Sequence, residues 1–104
     1  MTQETKNSNT VTINDDNFLQ NLNPHRKKLY WRSIRRGMKE SDLLLGGFAR
    51  QNLYSMTETE IIQFEAILSL FDADFMNYVT GKKPIPVDLD TAIFHALKSF
   101  KSYE

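Results

Sequence analysis

The chain has no cysteine. Disulfides, a thiolate nucleophile and a cysteine-based zinc centre are therefore excluded, and the fold must be held by packing and hydrogen bonding alone. Long apolar runs are also missing. The longest are of the kind Leu43-Leu44-Leu45, far short of the ~20 residues that a membrane-crossing helix needs. Only two histidines are present, His25 and His95, and neither sits in a spaced ligand or triad pattern. Gly46-Gly47 lacks the lysine and threonine that would follow in a phosphate-binding loop. The carboxylate pairs Asp72/Asp74 and Asp88/Asp90 are two residues apart, so on a helix they point in different directions, and helix capping accounts for them. No catalytic or metal-binding constellation results, and the chain does not read as an enzyme.

Net charge is the last absence: thirteen basic and thirteen acidic side chains cancel. The molecule as a whole has no field for collecting nucleic acid or anionic membrane. The distribution is uneven, however. Between Pro24 and Lys39 stand Arg26, Lys27, Lys28, Arg32, Arg35, Arg36 and Lys39 with no acid among them, a local charge of +7. This segment admits three readings: a solvated helix face, a nucleic-acid-binding helix in which Tyr30 and Trp31 stack between phosphate contacts, or a surface that docks on an acidic protein. Composition does not separate the last two.

At 104 residues the chain makes one small domain, burying roughly 60 to 70% of the surface its unfolded form exposes. Residues 1–22, rich in Asn and Thr at the start, show no sustained apolar period and are expected to form a flexible tail, with the ordered domain spanning 23–104. The first 23 residues also lack arginine and an apolar signal core, which points to a cytoplasmic protein inserted in no membrane. Asn23-Pro24 is a helix start, and Leu29, Tyr30, Ile34 and Met38 carry the apolar face of a first helix running to about Arg36, closed by Gly37. A second helix is expected over Glu40–Asn52. A third follows the Thr57/Glu60 capping box, with Ile61, Phe64, Leu68 and Phe71 inward. Asp72 is expected to cap a fourth helix ending at Gly81. Pro84 and Pro86 impose an extended connector, and a fifth helix starts near Asp88 or Leu89 and carries Ile93, Leu97 and Phe100. No stretch alternates with period two for long enough to be a strand. The expected class is all-α, a compact five-helix bundle-like domain.

From Leu29 the chain reads LYWRSIRRGMKESDLLLGGFA. Arg36, Gly37 and Glu40 form an RGxxE signature, followed by Asp42 and a Leu-rich segment ending in Phe48-Ala49. Farther on come an acidic helix start at Thr57 and the stretch DADFMNYVTGKKP from Asp72 to Pro84. In this order the residues resemble the flavinylation assembly factors of succinate dehydrogenase, called SdhE in bacteria and assembly factor 2 in mitochondria. The chain departs from that pattern at Tyr78, where the family often has tryptophan, and at Gly46-Gly47, where its residues are bulkier.

The resemblance implies a five-helix domain that binds the flavoprotein subunit of succinate dehydrogenase, and in bacteria fumarate reductase. Such a factor promotes covalent attachment of FAD to a histidine of that partner, holds no cofactor firmly itself, binds no nucleic acid and is a monomer alone. It implies partner-binding roles for Arg36, Gly37 and Glu40, with Arg32, Met38 and Asp42 on the same surface. The residue types suit the task. A glycine lets the chain turn or a partner backbone approach, an arginine fork pairs with carboxylate or carbonyls, and Glu40 is placed to orient Arg36 or to accept from the partner. The reading from another class is a small nucleic-acid-binding or regulatory domain.

Overall fold

Side-chain caps decide where three of the helices begin. Residues 15–100 are described by a computed structural model. Asn23 Oδ1 accepts the Arg26 N–H at 2.8 Å, and Pro24 takes the first helical position of α2 (Pro24–Ser33). At Thr57 both halves of the capping box are made: the Glu60 N–H donates to the Thr57 hydroxyl at 3.2 Å, and the Thr57 N–H donates to Glu60 at 2.9 Å. They open α4 (Glu58–Leu68), and a cap of this kind is worth about 1 kcal/mol. Thr91 caps α6 (Ala92–Ser99) by accepting the Phe94 N–H at 3.3 Å. Between these lie α3 (Lys39–Asn52), α5 (Asp72–Val79) and two 3-10 turns, Leu53–Ser55 and Val87–Leu89.

The regular elements among the described residues are all helical, without a strand, as expected, but there are six α-helices instead of five. The extra one, α1 (Asp15–Gln20), lies in the stretch assigned to the tail. Phe18 and Leu22 are buried in the core, the Phe18 ring meeting Tyr30 edge-on at 4.9 Å and lying under Arg50 at 5.1 Å. The ordered domain therefore begins upstream of Asn23. Phe18, Leu19 and Leu22 offer a short apolar docking segment but too few residues to fix a helix locally, and it is α2 and α3 that give them something to cover. The rest of the expected tail, residues 1–14, and residues 101–104 at the other end lie outside the described residues.

The core is built around Phe64, Phe75 and Phe94, all fully buried, with Leu29, Leu45, Leu53, Ile61, Ile67 and Leu97. Phe75 stacks on Phe94 at 6.1 Å, and Phe48 lies against Phe64 at 6.0 Å. Each such side chain contributes roughly 1.5 to 3 kcal/mol by leaving water. Tyr78 meets Phe94 in a T-shaped contact at 6.4 Å.

Two boundaries differ from expectation. The last helix starts at Ala92, because the chain leaves Pro86 through a 3-10 turn and the Thr91 hydroxyl, not Asp88, supplies the cap. The first long helix stops at Ser33, three residues before Arg36, for reasons that belong to the site below.

Gly46 has a packing role. A Cβ there would sit 2.6 Å from Ile34 Cγ2, so α3 crosses the end of α2 at a distance only glycine permits. Alanine would gain about 1 kcal/mol in helix propensity, yet Ile34 is β-branched and stiff at χ1 and cannot swing aside freely. Gly46→Ala is therefore expected to lower stability by about 1 to 3 kcal/mol. Chemical denaturation of Gly46→Ala, Ile34→Ala and the double variant checks this: the Ile34→Ala background should relieve the clash, and equal losses in both backgrounds would refute it.

Candidate functional site

The turn joining α2 to α3 is built by contacts from outside it. The Arg36 N–H donates to Asp42 Oδ1 at 2.8 Å, in the first turn of α3. The Arg36 guanidinium reaches the adjoining turn between α4 and α5. Its Nε donates to Asp72 Oδ1 at 2.6 Å, Nη1 to the Leu68 carbonyl at 2.9 Å and Nη2 to the Leu70 carbonyl. Asp72 Oδ2 also accepts the Met38 N–H at 3.2 Å. The Arg36 side chain is only 8% exposed and that of Asp72 14%, and the Phe75 ring lies beneath the guanidinium at 5.9 Å.

These bonds explain why α2 ends early. Continuing the helix through Arg36 would carry its side chain away from Asp72 and leave the Leu68 and Leu70 carbonyls without it. The chain instead leaves the helix at Ile34 and reverses at Gly37, whose φ is 104°. L side chains rarely adopt that conformation. A Cβ at Gly37 would meet nothing within 4 Å, so the glycine answers a backbone requirement and its outer side is open.

The six residues assigned to one partner surface therefore separate. Gly37, Met38 (38% exposed) and Glu40 lie on the outside of the turn. Arg36 and Asp42 lie beneath it and hold it. Arg32 faces the other flank, its Nη1 3.7 Å from Glu65 Oε2 on α4. Glu40 does not orient Arg36 as expected, since Asp72 and Asp42 do that. Its carboxylate makes no ion pair among the described residues, and it edges a second, apolar cavity of about 370 Å³ with Leu43, Met76, Val79 and Phe100. In the opening turn of α3 it also suits the positive end of that helix.

Asp72 was missed from sequence because capping already explained it. It is the first residue of α5, with Phe71 at the N-cap position and no side-chain cap bond there. Nothing local marks it as the partner of an arginine 36 positions away.

The basic segment is less of a charge run than it reads. Besides Arg36, Arg26 is turned inward, donating from Nη1 to the Leu53 carbonyl at 2.7 Å and lying 3.3 Å from Glu58, with its side chain mostly covered. Arg32 has Glu65. Lys27, Lys28, Arg35 and Lys39 have no carboxylate partner among the described residues. The first three line an open groove of about 940 Å³ between α2 and the α4–α5 turn.

The comparisons with known proteins can be set on this geometry. The profile of the Sdh5 family, the flavinator of succinate dehydrogenase, matches residues 27–101. The chain belongs to this family. It is 35% identical over 81 residues to the mitochondrial succinate dehydrogenase assembly factor 2 of Dictyostelium discoideum, covering 78% of this chain and 57% of that protein. It is 32% identical over 77 residues to the FAD assembly factor SdhE of Acetobacter pasteurianus, covering 74% and 71%. With the mitochondrial assembly factor 2 of Caenorhabditis elegans it shares 31% over 84 residues, covering 78% and 71%. The chain thus spans a little over half the length of the Dictyostelium relative and about seven tenths of the other two. No solved structure matches it.

Membership of the Sdh5 family favours the assembly-factor reading over a nucleic-acid-binding domain. The matched stretch takes in the α2–α3 turn and every later helix, whereas α1 and the first residues of α2 precede it. Among the described residues, no helix is long and apolar enough to cross a membrane, and no cluster of three or more His, Asp or Glu is arranged to hold a metal.

Proposed function

We propose that this chain is a non-catalytic assembly factor that binds the flavoprotein subunit of succinate dehydrogenase and promotes covalent attachment of FAD to it. The observation that carries the proposal is the Gly37 turn: a positive-φ glycine with open space over it, on a backbone clamped from below by Asp42 and Asp72. A surface held in one shape before contact loses little entropy on docking. Gly37, Met38 and Glu40 of the RGxxE stretch would make the contact, and Arg36 would act by fixing their geometry.

Such a factor works by differential affinity. It binds most tightly the partner conformation in which flavin and the accepting histidine are aligned, and each 1.4 kcal/mol of preference raises the population of that conformation about tenfold relative to the rest. The bond-making groups belong to the partner, and FAD is cargo attached there, not a cofactor of this chain. A monomer acting in the cytoplasm completes the proposal; one of the relatives above is bacterial and two carry the name mitochondrial.

Co-expression tests it. The flavoprotein subunit made with this chain should carry several-fold more flavin that survives denaturation, seen as in-gel fluorescence, than the subunit made without it. Equal labelling in the two preparations would overturn the proposal.

A further inference from the structure

The groove between α2 and the α4–α5 turn is separate from the outer face of Gly37 and has its own chemistry. Lys27, Lys28, Arg32 and Arg35 stand along one wall, and Leu68, Leu70 and Phe71 form the other. Phe71 is 81% exposed, an unusual position for a phenylalanine with a core within reach, and Trp31 is 38% exposed with the Arg35 guanidinium 4.9 Å above its ring. The carboxylates nearby are already taken: Asp72 by Arg36 and the Met38 N–H, Glu65 by His25 at 3.2 Å and Arg32 at 3.7 Å. The unanswered charge in the groove is positive, and its exposed apolar surface is aromatic.

The geometry points to a docking groove for an acidic segment of the partner polypeptide, in which an apolar side chain seats between Trp31 and Phe71 and flanking carboxylates meet Lys27, Lys28 and Arg35. Exposed aromatic and arginine side chains together are the residue types that carry binding energy at protein interfaces. A polypeptide fits better than a nucleic acid. Facing the cations stand Leu68, Leu70 and Phe71, an apolar wall that a phosphate backbone cannot pair with and that the apolar side chains of a polypeptide can. The groove adds to the Gly37 contact a second, electrostatically steered one. It rests on the proposed function only for the identity of the partner.

Trp31 is the only tryptophan in the chain, so its fluorescence reports on the groove without a label. The full chain is titrated with a synthetic peptide in which two leucines are flanked on both sides by glutamates. A saturable change in Trp31 emission is expected, weakening as salt shortens the screening length from ~30 Å at 0.01 M to ~10 Å at 0.1 M. Lys28→Glu/Arg35→Glu should weaken binding at least about tenfold, and Phe71→Ser several-fold, with helical content unchanged by circular dichroism. No saturable change, or tighter binding of a single-stranded oligonucleotide than of the peptide, overturns the inference.

A second arm separates it from the functional reading. Lys28→Glu/Arg35→Glu should reduce capture of the flavoprotein subunit and flatten its salt dependence. If the unaltered chain raises covalent flavin and the double variant does so equally with the same salt response, the groove is refuted and the function stands. If the peptide binds as expected but covalent flavin never rises, the function is refuted and the groove stands.

Discussion

Arg36→Ala is expected to lower the stability of the domain by about 3 to 5 kcal/mol, the cost of removing one partner from a nearly buried ion pair. The Asp72 carboxylate, 14% exposed, would lose its counter-charge, and the Leu68 and Leu70 carbonyls would lose their donors at the C-terminal end of α4, where helix carbonyls have no intrahelical partner. In a domain of this size each kcal/mol moves the melting temperature by about 4 to 8 °C, so the loss should be plain in a thermal or urea melt. Arg36→Lys should fall between, since one ammonium cannot reach a carboxylate and two carbonyls in the geometry of a planar fork. The paired test is a cycle with Asp72→Ala. The double variant should be much less damaged than the two single losses added together, because each single change leaves a charge stranded. If Arg36→Ala melts with the unaltered chain, the guanidinium is not a clamp and its role lies on the outer surface.

Gly37→Arg is the second large effect, and it separates binding from folding. Any side chain at φ 104° is strained, which costs about 1 to 3 kcal/mol. The space above Gly37 is empty, so nothing in this chain resists the added bulk. The domain should remain helical. A partner lying over the turn would meet the arginine directly, and affinity for the flavoprotein subunit should fall at least about 100-fold, or 2.7 kcal/mol. Gly37→Ala carries the same backbone strain with one carbon of bulk and should keep binding within about tenfold. Copurification and titration of the two variants distinguish the causes: unchanged binding by Gly37→Arg rejects this face as the contact, and equal loss in both variants assigns the effect to strain instead of obstruction.

Both predictions depend on a division of labour that single residues do not display. Arg36 and Glu40 lie four apart and read as a pair, but in the folded chain they face different ways. Arg36 is drawn under the turn by Asp72 and two carbonyls, and Glu40 is left on the outside. Helix starts were legible where the cap is a short-range bond, as at Asn23 and at the Thr57/Glu60 box, because both partners lie within three residues. The apolar spacing of Ile61, Phe64 and Leu68 likewise marked the buried face of α4, but Phe71, expected on the same face, lies beyond the end of that helix and is exposed. The end of α2 was not legible. The bond that stops it joins residues 36 and 72, and the basic last turn followed by glycine looked like an ordinary helix end at Arg36.

Local pattern alone predicted an all-helical domain, most of the helix positions found among the described residues, and the resemblance that family membership then confirmed. These follow from contacts within one or two helical turns and from residue order. Only the tertiary structure decided that the domain takes in Phe18 and Leu22, that Gly46 lets α3 lie against Ile34, that two of the seven clustered cations are internal clamps, and that Lys27, Lys28, Arg32 and Arg35 line a groove. Each of these depends on which distant backbone or side chain ends up within bonding distance. That is settled by how six helices cover one another, which the period of any single helix does not encode.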